Sequence, residues 1–203
     1  MVATGAYYGI VAAAAGVALW LLVSPWAAVP VFLLGLLCLW FFRDPERAIP
    51  RGPVAVSPAD GKIVRLRRKP ESAQVCIFMS VFDVHVNRTP IGGKVVDVTY
   101  SPGRFMAASR DEASYANERN TLTVEARDGV RVTFSQIAGL IARRIICRVQ
   151  PGDYVTTGER IGLIQFGSRV DVDLGPEWAV EVREGQRVKA GTTVLARRLG
   201  GEG

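Results

Sequence analysis

The chain has 203 residues, a length that suggests one domain plus an extra element. Its 25 lysines and arginines exceed its 19 aspartates and glutamates, for a formal net charge of +6, yet no charged side chain precedes Arg43. The number and spacing of the three cysteines fit neither a disulfide framework nor a zinc site, and the single histidine, His85, argues against a histidine-based metal centre. We therefore expect no metal and a reducing compartment.

Residues 5–42 form an uncharged, apolar front. Ser24-Pro25 and Pro30 divide it into two segments of roughly 17 residues, each about 26 Å long as a helix, which is marginal for a bilayer core. This pattern predicts a helical hairpin that spans or deeply enters a membrane. A hairpin in a soluble core is the alternative, but so long a run without a charge is rare there. A cleaved signal peptide fits less well, because no basic region precedes the run.

Basic residues lie directly after the apolar front, at Arg43, Arg47 and Arg51. By the positive-inside tendency they place the domain that follows in the cytoplasm. We therefore predict a membrane-anchoring hairpin and basic junction over residues 1–50, and a cytoplasmic domain over residues 51–203.

The sequence after Pro53 changes to short segments that are rich in Val, Ile, Thr and Phe and partly alternate, as strands do. These segments are GKIVRL, AQVCIFMSV, KVVDVTY, NTLTVEA and VRVTFSQI. Asp128-Gly129 separates the last two and predicts a hairpin turn. FMAASRDEASYANE lacks strand character and predicts a loop or short helix. The domain is expected to be mainly β, as a barrel or sandwich.

An internal repeat refines this prediction. VQPGDYVTTGERIG from Val149 resembles VREGQRVKAGTTVL from Val182, and the glycines match in position. Such hairpins occur in biotinyl and lipoyl carrier domains and in other barrel-sandwich hybrids, a likeness of architecture only. A carrier also needs a modified lysine at a hairpin tip, and no Met-Lys-Met or Asp-Lys tip is present. The fold class expected is therefore a barrel-sandwich-hybrid-like domain preceded by a hydrophobic helical hairpin.

Three polar stretches stand out against the strands. SPADGKIV contains Asp60, which a turn would explain, and MSVFDVHVNRTP contains His85, a lone histidine of the kind that is more often structural than catalytic. In IGLIQFGSRVDVDLG, Gly167 and Ser168 interrupt a strand-like run, and on these residues alone a β-bulge or tight bend is the simpler explanation. A serine, a histidine and an aspartate are also the ingredients for activating a hydroxyl, but the sequence does not bring them together.

The order of motifs along the chain carries a specific resemblance. An apolar front is followed by FFRDPER, SPADGKI, FMSVFDVHVNRTPIGGKV, NERN, QIAGLIARRI and GDYVTTGERIGLIQFGSRVDV. This order resembles the phosphatidylserine decarboxylase proenzymes, in particular their short bacterial and archaeal branch, over essentially the whole chain. The resemblance implies that the chain cleaves itself between Gly167 and Ser168 and that Ser168 becomes a pyruvoyl group.

The resemblance also implies the chemistry that follows cleavage. The pyruvoyl group is the cofactor: it forms a Schiff base with the amine of phosphatidylserine and withdraws electrons as carbon dioxide leaves, giving phosphatidylethanolamine for phospholipid biosynthesis. Chains 1–167 and 168–203 are expected to stay associated. Longer members suggest a homo-oligomer.

Residue roles are carried over position by position. Ser168 matches the family's pyruvoyl precursor. His85 matches the first histidine of the family's histidine motif, which implies a role in proton transfer. Asp60 matches the aspartate that activates or orients the maturation base. Longer members have a second histidine where this chain has Asn87 and Arg88, and Leu-Gly-Ser-Thr where it has Phe-Gly-Ser-Arg. One imidazole must therefore serve both maturation and decarboxylation, or another group performs one of these steps.

Several alternatives remain open from the sequence. A membrane-bound serine hydrolase could use Ser168, His85 and Asp60 without chain cleavage, although no G-x-S-x-G motif is present. A decarboxylase of an archaeal ether-lipid serine headgroup or a non-enzymatic membrane adaptor would also fit. Nucleic-acid binding is not expected beside an uncharged anchor. Basic residues are candidates for contact with an anionic leaflet or the lipid phosphate, or form a solvated surface: Arg65, Arg67, Arg68, Lys69, Arg143 and Arg144.

Overall fold

The computed structural model describes residues 3–106, 116–139, 144–165 and 167–200. The chain divides into two compact units, Met1–Glu46 and Arg47–Gly203. Most of the segment FMAASRDEASYANE, predicted as a loop or short helix, and Arg143, a candidate for lipid contact, lie outside the described residues.

Two helices, α1 (Ala3–Leu22) and α2 (Pro25–Phe41), make up the first unit. The Ser24 side chain accepts a hydrogen bond of 3.2 Å from the backbone N–H of Ala27, which caps α2 at its N-terminus. Gly9 lies against Leu39, and Gly16 against Phe32, so the helices pack closely and run antiparallel. The predicted helical hairpin is confirmed.

Pro30 does not break the hairpin as expected, because it lies inside α2. A proline inside a helix removes one backbone hydrogen bond, and the packing of α2 against α1 offsets this loss. The single interruption is at Val23 and Ser24, where the capping serine and the following proline both favour a new helix.

The first helix is long and apolar enough to cross a membrane by length and composition, over Gly5–Leu22 with a mean hydropathy of 1.7. The second helix is apolar but shorter, at 17 residues. Large apolar side chains are exposed on both helices, with Leu22 83% and Trp26 85% accessible. This exposure supports association of the hairpin with a membrane.

The second unit consists of short strands. They are β1 (Val54–Val56), β2 (Gly61–Lys69), β3 (Ser72–Met79), β4 (Val86–Arg88), β5 (Gly93–Ser101), β6 (Arg119–Glu125), β7 (Arg131–Ile137), β8 (Ile145–Cys147), β9 (Tyr154–Val155), β10 (Arg160–Ile164), β11 (Ser168–Leu174), β12 (Trp178–Val180), β13 (Arg187–Val188) and β14 (Val194–Arg198). All five segments predicted as strands from their Val, Ile and Thr content are strands, and Gly129 forms the expected turn between β6 and β7 with φ +83°.

The strands form three sheets in the described part of the chain. The largest has eight strands in the order β13-β2-β3-β11-β7-β6-β5-β9, and the smaller ones are β1-β14-β12 and β4-β10-β8. Strand β11 lies in the middle of the large sheet, antiparallel to both β3 and β7. Its alternate residues Val170, Val172 and Leu174 face a hydrophobic core. The prediction of a mainly β, barrel-sandwich-hybrid-like domain after a helical hairpin is confirmed.

The repeat found in the sequence is also a repeat of backbone geometry. Gly152 and its counterpart Gly185 have φ of +102° and +82°, and Gly158 and Gly191 have +75° and +71°. These left-handed conformations favour glycine. Ile49 packs against the α-carbons of both Gly158 and Gly191, so one side chain contacts the same turn in each repeat.

A second pair of equivalent loops is visible only in the structure. The Ser57 hydroxyl donates to the Ala59 carbonyl at 2.7 Å, and the Thr89 hydroxyl donates to the Ile91 carbonyl at 2.6 Å. Ser57-Pro58 and Thr89-Pro90 each lead into a strand that begins with glycine. The two loops differ in one charged residue, because the loop after Ser57 has Asp60 at the position where the loop after Thr89 has Gly92.

Candidate active site

The ends of three neighbouring strands bring most of the predicted site residues to one edge of the large sheet. Strand β2 begins directly after Asp60, β3 ends at Met79, and β11 begins at Ser168. Ser168 pairs with Met79, and Lys62 pairs with Phe78 on the other side of β3. Because the strands are antiparallel neighbours, the segments just beyond these ends are close together.

Gly167 and Ser168 lie at a crossing between two sheets, and not in the middle of one strand. Strand β10 belongs to the β4-β10-β8 sheet, whereas β11 belongs to the eight-stranded sheet. The interruption that the sequence shows is therefore the change of sheet. Gly167 has φ +63°, a left-handed conformation that a residue with a β-carbon adopts at a cost of about 1 kcal/mol.

Ser168 is fully buried at the start of β11. Its hydroxyl donates a hydrogen bond to the thioether sulfur of Met79 at 3.3 Å. A thioether is a weak acceptor, so the hydroxyl oxygen is held in place without a strong bond that would occupy it.

His85 is also buried, at 2% exposure, in the connection between β3 and β4. Its Nδ1 lies 2.9 Å from the Asp83 carbonyl oxygen. A carbonyl only accepts, so Nδ1 carries a proton, and in the neutral ring Nε2 is then the basic nitrogen. The His85 carbonyl accepts a hydrogen bond from the N–H of Ile164 at 3.3 Å, which brings His85 beside the segment that leads to Ser168.

Asp83 fixes the turn that carries His85. Its Oδ2 accepts hydrogen bonds from the Ser80 N–H at 2.8 Å and the Ser80 hydroxyl at 2.7 Å. Its Oδ1 forms an ion pair with Arg187 of β13. Sequence reasoning gave Asp83 no role, although it quoted the motif that contains it.

Asp60 contacts the C-terminal segment and the junction after the hairpin. Its Oδ1 accepts from the Ala190 N–H at 2.7 Å, and its Oδ2 pairs with Arg47 at 2.8 Å. Within the described ranges, neither the Asp60 carboxylate nor the Ser168 hydroxyl is hydrogen-bonded to His85. The three predicted site residues therefore lie near one sheet edge without forming a Ser-His-Asp hydrogen-bonded triad.

A series of buried amides leads to Met79, the hydrogen-bond partner of Ser168. Asn87 and Gln136 are fully buried and Asn120 is 4% exposed. Gln136 donates to Asn87 at 2.9 Å, and Asn87 donates to the Met79 sulfur at 3.7 Å. Sequence reasoning did not single out Met79, Gln136 or Asn120, although all three fall within quoted motifs.

Charged side chains of β11 point away from Ser168. Arg169 and Asp171 form a buried ion pair on the opposite face of the strand, next to Cys76 of β3. Burial, followed by the negative charge of Asp171, raises the pKa of the Cys76 thiol to about 12. Burial also raises the pKa of Asp173 on the same face. This cluster packs on the face of β11 opposite Ser168, so its charges lie away from the Ser168 side chain.

Comparison with known proteins assigns the chain to a family. A sequence model described as "Phosphatidylserine decarboxylase" matches residues 34–196. The chain belongs to the phosphatidylserine decarboxylase family. The matched range includes Asp60, His85, Gly167 and Ser168.

Curated relatives agree with this assignment. A phosphatidylserine decarboxylase proenzyme of Solibacter usitatus is 56% identical over 199 residues, which cover 98% of this chain and 97% of the relative. Proteins of the same name from Oleidesulfovibrio alaskensis and Erythrobacter litoralis are 49% and 48% identical, over 87% and 95% of this chain and 85% and 86% of their own length. The predicted membership of the phosphatidylserine decarboxylase family is confirmed.

Proposed function

We propose that this chain decarboxylates phosphatidylserine to phosphatidylethanolamine, with a pyruvoyl group that it makes from its own Ser168. The observation that carries the proposal is the position of Ser168: it is buried, follows a left-handed Gly167 and begins a strand at a crossing between two sheets. The relatives' names describe proenzymes, which supports self-processing.

Cleavage begins at the hydroxyl of Ser168. The oxygen attacks the Gly167 carbonyl carbon, the peptide C–N bond breaks, and an ester replaces the amide while the Ser168 nitrogen becomes a free amine. Loss of the Ser168 α-proton expels Gly167 as a carboxylate and leaves dehydroalanine. This isomerises to an imine, and water then replaces the nitrogen, which leaves as ammonia. The space around the Gly167 α-carbon fits the rearrangement, because a Cβ there would meet no heavy atom within 4 Å among the described residues other than its two chain neighbours.

His85 is the group that we assign to proton transfer. Its Nδ1 donates to the Asp83 carbonyl, so Nε2 can take a proton from the Ser168 side and return one later. The ion pair of Asp83 with Arg187 and its bonds to Ser80 hold this ring in place. Asp60 acts through position, because it joins the loop before β2 to Ala190.

The pyruvoyl group supplies an electron sink for the bond to carbon dioxide, so no added cofactor is needed. The chain contributes a dry site for that bond cleavage. Ser168 faces the same side of β11 as Val170 and Val172, which are fully buried in the core. A carboxylate that leaves as neutral carbon dioxide is favoured where water is excluded.

Strand pairing, a hydrogen bond and an ion pair would hold the two product chains together after cleavage. Strand β11 starts chain 168–203 and is paired on one side with β3 and on the other with β7, both from chain 1–167. The contacts Asp60 to Ala190 and Asp83 to Arg187 also join the two chains. Association into homo-oligomers remains a prediction.

The apolar hairpin supports access to a lipid substrate. Its exposed apolar side chains and the basic residues that follow it support attachment to the cell membrane with the β domain on the cytoplasmic side. We propose the division of the chain into an anchor, residues 1–50, and a decarboxylase domain, residues 51–203, on the same grounds.

The geometry favours decarboxylation over the serine hydrolase considered above. The Ser168 hydroxyl is fully buried beside its own peptide bond, which suits attack within the chain, whereas a hydrolase needs a serine that is open to an external substrate. An ether-lipid substrate would present the same serine headgroup. The names of the relatives reported above specify phosphatidylserine, which favours the ester lipid as substrate.

Intact-mass spectrometry of the purified wild type and Ser168→Ala tests the proposal. We expect the wild type to contain chains 1–167 and 168–203, with the smaller chain lighter by one ammonia than simple hydrolysis would leave it. Ser168→Ala should remain one inactive chain. A wild-type small chain that begins with ordinary serine, or an uncleaved wild type that decarboxylates phosphatidylserine, contradicts the proposal.

A further inference from the structure

The core of the β domain becomes polar at the end of the large sheet where Ser168 lies. Ser168, Asn87 and Gln136 are fully buried, and Asn120 is nearly so. Elsewhere the same core is lined by apolar side chains such as Phe134. Buried amides cost free energy unless they are hydrogen-bonded, so a group of them at one place calls for a reason.

These amides are linked in one direction. The Asn120 side-chain nitrogen donates to Gln136 Oε1 at 3.2 Å, and Gln136 Nε2 donates to Asn87 Oδ1 at 2.9 Å. Gln136 and Asn87 thus each accept with the amide oxygen and donate with the amide nitrogen, and hydrogen bonds linked in this way strengthen one another. This series of amides ends with Asn87, whose Nδ2 faces the Ser168 end of the sheet. The amide group nearest to Ser168 therefore presents an N–H donor.

The atom that accepts the hydrogen bond from Asn87 Nδ2 is a weak acceptor. Asn87 Nδ2 lies 3.7 Å from the Met79 sulfur, and the Ser168 hydroxyl lies 3.3 Å from the same sulfur. A thioether is a weak acceptor, and here two donors share it. A buried N–H in this position gains free energy from a better acceptor that enters the site.

We propose that Asn87 Nδ2 donates a hydrogen bond to the carboxylate of the bound serine headgroup, and that Gln136 is the positioning residue that keeps this N–H turned toward the site. The proposal rests on the proposed function, because the headgroup amine must react at the position of Ser168. Reaction there puts the headgroup carboxylate next to the Met79 sulfur that Asn87 and Ser168 share.

A neutral amide suits a carboxylate that must leave. An ion pair with arginine or lysine would stabilise the charged substrate more than the transition state, in which that charge is moving away. An amide orients the carboxylate with a smaller stabilisation of the ground state. The charged neighbour of Ser168, Arg169, is paired with Asp171 on the other face of β11.

The test separates the carboxylate from the rest of the headgroup. Phosphatidylethanolamine has the same amine and phosphate as phosphatidylserine but no carboxylate. Cyanoborohydride joins an amine covalently to a ketone, so the growth of the lipid adduct by intact mass reports amine access without turnover. Asn87→Leu removes the donor at similar volume, and Gln74→Leu removes an amide from the opposite face of the sheet, where it bonds Asp173, as a matched control.

We expect Asn87→Leu to cleave into two chains and to trap phosphatidylethanolamine within about twofold of the wild-type rate. Its kcat/KM for phosphatidylserine should fall about tenfold or more, mainly through KM, as for loss of one bond to a charged group. Gln74→Leu should match the wild type in all three measurements. Asn87→Asp keeps the shape of the side chain but adds a charge that repels the substrate carboxylate, so its kcat/KM should fall at least as far. This variant replaces Asn87→Leu in the test if Asn87→Leu does not fold.

Three results would overturn the proposal. Equal losses in adduct formation and in phosphatidylserine turnover would make Asn87 a structural residue. Unchanged turnover would remove it from the reaction, and failure of Asn87→Leu and Asn87→Asp to cleave would place it in maturation. A wild type that neither cleaves nor forms an adduct would instead refute the proposed function, so the two failures are distinguishable.

Discussion

The carboxylate of Asp60 accepts a hydrogen bond of 2.7 Å from the backbone N–H of Ala190. This bond joins the loop before β2 to a residue beyond the proposed cleavage point, and the ion pair between Asp83 and Arg187 does the same for the loop that carries His85. Both loops that bear site residues are therefore held against the C-terminal segment. The geometry of both loops thus depends on that segment.

Asp60→Ala should slow self-cleavage and lower the free energy of unfolding by about 2–3 kcal/mol, since it removes two hydrogen bonds to a charged group. Cleavage half-times followed by gel electrophoresis and denaturant unfolding in detergent measure the two effects. Asp97→Ala is the matched control, because Asp97 is exposed and, among the described residues, its carboxylate accepts a hydrogen bond from Thr99 alone. If both variants cleave at the wild-type rate, Asp60 has no part in maturation.

His85→Gln should reduce phosphatidylserine turnover about 100-fold or more, because the amide of glutamine can replace the bond to the Asp83 carbonyl but cannot transfer protons. Self-cleavage of the same variant shows which step uses the ring. Normal turnover together with normal self-cleavage would mean that His85 is only structural.

Local features of this fold are predictable from sequence because they depend on local chemistry. Alternating Val, Ile and Thr indicate five strands correctly, and glycines at matched spacing indicate two hairpins whose turns need left-handed residues. The resemblance selects Ser168 and His85, which the structure brings to neighbouring elements. The sequence does not show which strands share a sheet. Strands β10 and β11 are consecutive in the chain but belong to different sheets, because β10 pairs with β4 and β11 pairs with β3.

Buried polar contacts are the other part that the sequence hides. Gln136 lies in a strand of alternating character, and nothing local distinguishes an inward amide from an outward one. The roles of Asp83 and Asp60 depend on Arg187 and Ala190, which are far away in sequence. Pro30 shows the reverse error, since a strong local signal for a break is outweighed by the packing of two antiparallel helices.

The stability of the protein should fall with pH above about 9 through Cys76. Burial raises the pKa of this thiol from 9.0 to about 12, so in that interval the unfolded chain has lost the proton and the folded chain keeps it. The contribution is fully present below the unfolded pKa and is lost as the pH rises to the folded pKa, at up to about 1.4 kcal/mol per pH unit.

Cys76→Ala provides the comparison for this effect. The difference in unfolding free energy between wild type and variant, measured in detergent from neutral pH to about pH 10.5, should shrink as the pH rises. A difference that stays constant over this range would mean that the thiol does not titrate differently in the two states.

The apolar hairpin should retain the protein in the membrane fraction after a carbonate wash, with the β domain digested only by protease added from the cytoplasmic side. The reason is the uncharged run followed by Arg43, Arg47 and Arg51. Inside-out and right-side-out vesicles provide the two orientations. Release by carbonate would contradict the anchor, and digestion only in right-side-out vesicles would reverse the orientation.

Gly167→Ala should slow self-cleavage, and Gly129→Ala should not. Both glycines have left-handed backbones, with φ of +63° and +83°, and at both a Cβ would meet no heavy atom within 4 Å among the described residues beyond the two chain neighbours. Each substitution therefore carries a similar backbone cost of about 1 kcal/mol and no steric clash. Only Gly167 contributes the carbonyl that Ser168 attacks, and a backbone that relaxes away from φ +63° moves this carbonyl from the hydroxyl. Unfolding free energies should thus fall equally, while the cleavage half-time lengthens for Gly167→Ala alone. Equal cleavage rates in the two variants would show that the conformation of Gly167 serves the crossing between the sheets and not the reaction.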